Sequence, residues 1–101
     1  MRQYRVFLDA GIYIAGAGSA FGGSRQILDW CAERLLQPVT SLQVLTEAHR
    51  NVTKKLPRAM AALEHIIQAV DSELASEPMD EEITNAAQMV PEKDAPILAV
   101  L

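Results

Sequence analysis

Three carboxylates stand where they could act together: Asp9, Glu47 and Asp94. Asp9 ends a stretch, residues 4–9, that contains the apolar run Val6 to Leu8, and Glu47 lies early in a helical pattern that follows a short β-branched pair. Asp94 opens the last apolar segment of the chain. Each has an ordinary explanation as a strand end, a solvated helix residue and a helix cap. Gathered within about 4–6 Å, however, such groups repel by a few kcal/mol per pair at an effective dielectric near 20. Clusters of that kind take up protons or cations.

Other chemistries fit the residues less well. His49 and His65 fall on different predicted helices without a partner at metal-ligand spacing, which argues against zinc. No histidine stands in a recognisable relation to Ser19, Ser24 or Ser41, so a serine nucleophile lacks its base. Gly16-Ala17-Gly18 supplies two glycines of a dinucleotide fingerprint, but Phe21 occupies the third position and no phosphate-loop Lys follows. Cys31 is the sole cysteine, which excludes an internal disulfide and is at home in a reducing compartment.

The elements that would position the three acids can be read from spacing. Residues 4–9 suit a strand buried on both faces, as in a parallel sheet. Ile12, Tyr13 and Ile14 predict one short helix before a mobile loop reaching Gly23. Ser24 is a plausible N-cap for a helix carrying Ile27, Leu28, Cys31 and Leu35, closed by Pro38. Val39-Thr40 predicts a second strand, and Ser41 can cap a helix carrying Leu42, Leu45, Ala48 and Val52, with Glu47 off that apolar stripe. Pro57 opens a helix running through Ala59, Met60, Leu63, Ile66, Ile67 and Val70. A third strand is expected at Leu74 to Ser76, then a helix from Asp80 with Ile83, Ala86, Ala87 and Val90 buried, stopped by Pro91. A final helix begins at Asp94.

This order predicts one α/β domain with right-handed crossovers and a parallel sheet. The three acids then fall near its carboxyl edge, where open parallel sheets bind ligands. The chain has 101 residues, half of them hydrophobic, which is enough for a single core. Arg2 and Arg5 ahead of an apolar stretch imitate a secretory signal, but Asp9 interrupts it and the segment reads as folded protein. No run approaches the ~20 apolar residues of a membrane span. The net charge of −4 disfavours nucleic acid. The charge is nevertheless sorted, with Arg50, Lys54, Lys55 and Arg58 together and mostly acids from Glu64 onward. That basic segment reads either as a solvated helix end or as an RNA-facing patch.

Three segments resemble the PIN-domain ribonucleases. Val-Phe-Leu-Asp9-Ala-Gly-Ile-Tyr-Ile resembles the family's opening strand with its first acid. Val39-Thr40-Ser41 with Leu45-Thr46-Glu47-Ala48-His49-Arg50 resembles the second strand and second acid, and Lys93-Asp94-Ala95-Pro96-Ile97-Leu98-Ala99 the segment bearing the third. The resemblance spans essentially the whole chain and is nearest to toxin components of prokaryotic toxin–antitoxin systems. It implies a parallel sheet in a three-layer α/β/α sandwich and a cytoplasmic endoribonuclease. Asp9, Glu47 and Asp94 would be its catalytic residues and its ligands for Mg²⁺ or Mn²⁺, and Arg50, Lys54 and Lys55 its RNA contacts. The implied partners are an RNA substrate and an antitoxin protein, with no membrane.

Two departures temper that expectation. Gly11 stands where the family has Asn, Ser or Thr. The family also continues through a further strand or two bearing a fourth acid, whereas this sequence stops at Leu101. The expectation is therefore a domain spanning residues 1–101 that lacks the last strands, weakened or inactive, with an uncovered edge that favours a homo-oligomer. The rival expectation, from another class, is a non-catalytic PIN-like interaction domain. A nucleotide-binding α/β domain is a third and weaker one.

Overall fold

The computed structural model describes residues 4–75 and 84–85. The chain runs β1 (Arg5–Phe7), α1 (Ala10–Gly18), α2 (Gly23–Ala32), β2 (Gln37–Thr40), α3 (Leu42–Lys55), a 3₁₀ turn (Pro57–Ala59), α4 (Met60–Val70), β3 (Glu73–Leu74) and β4 (Thr84–Asn85). All pairings are parallel, in the order β3-β2-β1-β4. The expected mixed α/β fold with a parallel sheet is therefore present.

Register determines which side chains share a face. Val6 pairs with Pro38 and Phe7 with Val39, so Val6, Leu8, Pro38 and Thr40 lie on one face and Arg5, Phe7 and Val39 on the other. Helices cover the first face, where Val6 and Leu8 join Ile12, Tyr13, Ile27, Leu28, Cys31, Val52, Leu63 and Val70 in one core cluster. Fully burying a residue such as Leu8 or Ile12 is worth about 1.5–3 kcal/mol, and both are wholly inaccessible. Val39 on the second face is fully buried as well. Arg5 reaches across that face to Glu73 at 2.7 Å.

Several local expectations need correction. The glycine-rich stretch is mostly helix: α1 continues through Gly18, leaving only residues 19–22 as a loop. Helix propensity argues against that, but close packing outweighs it. A Cβ on Gly16 would clash with Leu28 Cδ1, so glycine lets α1 and α2 approach, and Arg25 Nε donates to the Gly16 carbonyl at 2.9 Å.

The second helix ends at Ala32 rather than at Pro38, with Arg34 in the left-handed region (φ 66°) and Leu35 60% exposed. Pro38 lies inside β2, and the cap position of α2 belongs to Gly22, not Ser24. The helix expected from Asp80 is contradicted at Thr84–Asn85, which form β4 beside Val6 and Phe7. The free peptide groups of β1 require hydrogen-bonding partners, and a β-branched pair, Ile83-Thr84, suits a strand better than a helix interior. The rest of that segment, the Ser76 end of the third strand and the last helix with Asp94 lie outside the described residues.

Candidate active-site edge

Because every strand is parallel, all carboxyl ends lie along one edge. The chain proceeds β1, β2, β3 in one direction and then returns to place β4 on the far side of β1. Strand order therefore reverses between β1 and β4, and ligands in open α/β sheets bind outside the carboxyl ends at such a point. Asp9 stands two residues beyond Phe7 of β1, beside that switch point.

The end of β1 is firmly held. Leu8 N–H donates to Val39 O at 2.8 Å, and the buried Thr40 hydroxyl donates to Leu8 O at 2.8 Å. Deeper in the same layer, the Tyr13 hydroxyl bonds to Ser72 Oγ at 2.8 Å. Burial raises the Tyr13 pKa, outweighing the opposing effect of that hydrogen bond.

Asp9 itself is the N-cap of α1, its Oδ1 accepting from Ile12 N–H at 3.0 Å. It is half-buried, and its other carboxylate oxygen makes no hydrogen bond among the described residues. The capping role explains why an acid is tolerated here, and it leaves one oxygen for a ligand.

Ser41 caps α3 in the same manner, accepting from Val44 N–H at 3.1 Å. Glu47 follows on the second turn and is exposed. At about 100° per residue, it lies across α3 from His49, whose imidazole faces Glu64 of α4 at 3.9 Å. Lys55, on the last turn of α3 and about 80° around it from Glu47, lines a hollow with Ala17 and Gly18 of α1. Glu47 also lines a second hollow with Gln43, Arg50 and Asn51.

The predicted site residues therefore divide. Asp9 and Glu47 belong to elements leaving the same sheet edge, and Asp94 lies outside the described residues. No group of three or more His, Cys, Asp or Glu able to hold a metal occurs among the described residues, which include two of the three acids. Arg50 stands one turn beyond Glu47, whereas Lys54 and Lys55 occupy the last turn of α3. That turn is about 18–20 Å from the Ser41 end, so these two lysines are remote from the acidic edge. Sequence reasoning missed Thr40, which fastens β1 just ahead of Asp9. Its β-branched side chain in a short strand was the only available signal.

Among the described residues no helix is long and apolar enough to cross a membrane. No protein-family model matches the sequence, and neither a curated protein nor a solved structure is significantly similar to it.

Proposed function

We propose that the chain is a PIN-like, metal-dependent endoribonuclease, the toxin of a toxin–antitoxin pair, with its sheet as the middle of a three-layer α/β/α sandwich. The observation that carries this reading is Asp9: an acid at the carboxyl end of β1, beside the switch point, with one oxygen unengaged among the described residues. Glu47, exposed on the second turn of α3, adds a second acid on an element that leaves the same sheet edge.

The donor set fits a hard divalent cation. Carboxylate oxygens suit Mg²⁺ or Mn²⁺, while the sulfur donor Cys31 is fully buried and His49 lies on the other side of α3. Asp9 and Asp94 would hold the cation, and Glu47 would do so directly or through water. When bound, the cation supplies Lewis acidity toward the phosphodiester and makes a neighbouring water more acidic. Thr40 and the Leu8–Val39 hydrogen bond keep Asp9 in register with α1, so the carboxylate is positioned before substrate arrives. Arg50, Lys54 and Lys55 would offset phosphate charge along α3. A reducing, cytoplasmic setting suits the single buried thiol.

Incubation with single-stranded RNA and Mn²⁺ tests the reading: the chain cuts, and Asp9→Asn does not. Equal cutting by both would remove the metal-site argument. The rival reading, a PIN-like interaction domain without catalysis, has one observation in its favour, since capping α1 gives Asp9 a structural use needing no ligand. It predicts no cutting by either protein.

A further inference from the structure

The end of the domain opposite the candidate acids carries a hollow of about 460 Å³, with apolar lining from Ala17, Leu56 and Ala62 and two cations, Lys55 and Arg58. Helices α1 and α3 both start at the carboxyl edge of the sheet, capped by Asp9 and Ser41, so their last residues lie on the far side, about 18–20 Å away along α3. Phe21 stands at this same end. It is 90% exposed in the loop that follows Gly18, and Gly18 itself lines the hollow, which keeps Phe21 within about 11 Å of it along the chain. Phe21 N–H donates to Ser19 Oγ at 3.2 Å and braces that loop.

The charge here exceeds what the helix ends explain. Lys55 occupies the last turn of α3, where a cation is favourable. Arg58 has no such explanation, because it lies two residues ahead of α4, whose N-terminus is itself positive and has neither an acid in its first turn nor a side-chain cap. No acid lines the hollow, and neither cation has an ion-pair partner among the described residues. A cation set against the local helix dipole costs the fold stability, and such departures from local rules concentrate at functional surfaces.

We propose that this end of the molecule is a docking surface for an acidic segment of another protein, with one apolar side chain in the hollow, carboxylates on Lys55 and Arg58, and Phe21 packed against the segment's flank. A short segment suits the charge balance better than a nucleic acid or a membrane. The positive patch is local while the chain as a whole carries −4, so a polyanionic surface reaching well past a Debye length, about 8 Å, meets repulsion from the remainder. An apolar anchor in a pocket ringed by weaker contacts is how a small interface gains most of its affinity. Docking here leaves the edge with Asp9 and Glu47 open, and the inference does not depend on the nuclease reading.

Selection of a random peptide library displayed on phage against the full chain reads the preference directly. Recovered peptides should be net acidic and carry a Leu, Ile, Met or Phe, and the tightest, labelled with a fluorophore, is then titrated by anisotropy. K55A/R58A should weaken its binding about 2- to 30-fold, and Phe21→Ala at least about fivefold. Ala62→Leu, which fills the hollow, should also weaken it. Lys55, Arg58 and Phe21 are exposed, so melting of those variants should match the parent, and Asp9→Asn should bind the peptide as the parent does. Recovery of no binder, peptides without an acidic bias, or affinity that survives both K55A/R58A and Phe21→Ala would overturn the proposal. So would tighter binding of oligouridylate or of phosphatidylserine vesicles, lost in the same variants, which would assign the surface to RNA or to a membrane. Self-association of the parent that K55A/R58A abolishes would overturn it in favour of a second copy of the chain.

Discussion

Asp9 is asked to do two things, and substitution can separate them. As the N-cap of α1 it satisfies Ile12 N–H. Replacing an Asp cap by Ala costs about 0.5–2 kcal/mol, and losing a negative charge at a helix start costs a further ~0.3–1 kcal/mol. Asp9→Ala should therefore lose about 1–3 kcal/mol, which for a domain of this size lowers Tm by roughly 4–24 °C. Asn caps nearly as well as Asp. Asp9→Asn therefore keeps the cap and loses only the charge at the helix start.

That variant should stay within about 1 kcal/mol of the parent. Mn²⁺ adds the functional half. At a hundred times its dissociation constant a ligand specific to the folded state stabilises by about 2.7 kcal/mol, an increment the parent should show and Asp9→Asn should not. Urea denaturation followed by circular dichroism, with and without Mn²⁺, reads all four values. The reasoning fails if Asp9→Ala is as stable as the parent, or if Asp9→Asn gains as much from Mn²⁺ as the parent does.

Other expectations concern the frame around the site. Gly16→Ala forces a Cβ onto the buried Leu28 and should cost about 1–2 kcal/mol, overpacking exceeding the gain in helix propensity; Gly18→Ala, which meets only the half-buried Leu56 at 3.2 Å, should be near neutral in the same melts. Thr40→Val leaves the Leu8 carbonyl without its side-chain donor and should cost about 1–2 kcal/mol by urea titration, with weaker Mn²⁺ binding because Asp9 follows Leu8 directly. Burial pushes the Cys31 thiol up from 9.0 to about 11, so between those values the unfolded chain has lost a proton that the folded chain retains. Stability should be unaffected below pH 9 and then fall as pH rises to about 11, by up to about 1.4 kcal/mol per unit from this group. Tyr13, also raised, adds in the same direction. Stability of Cys31→Ala that declines as steeply over that range would contradict the assignment.

What could be read in the sequence was what periodicity and caps encode. The stripe from Met60 to Val70, the Ser41 cap and the Val39-Thr40 strand all appear as their spacing suggests. The ends of elements were less legible, because tertiary contact decided them. Gly16 and Gly18 read as a loop until Leu28 is seen against the first. Pro38 read as a helix stop, yet lies in a strand whose neighbour across the sheet is Val6. The segment around Thr84 looked helical because acids preceded an apolar period of 3.6, and only the open side of β1 shows why a strand forms there.

At the site, Asp9 was legible as an acid ending an apolar run. Its use as the cap of α1 was not, since nothing in the composition of residues 10–18 announces a helix that begins at once. The basic segment read as one patch. The length of α3 separates it, with Arg50 near Glu47 and both lysines at the distant end.

Calorimetric titration of Mn²⁺ into the parent chain, Asp9→Asn and Glu47→Gln at neutral pH bears most directly on whether these acids form one cation site. The parent should give saturable binding that Asp9→Asn abolishes and Glu47→Gln weakens. Indistinguishable isotherms from all three proteins would contradict it.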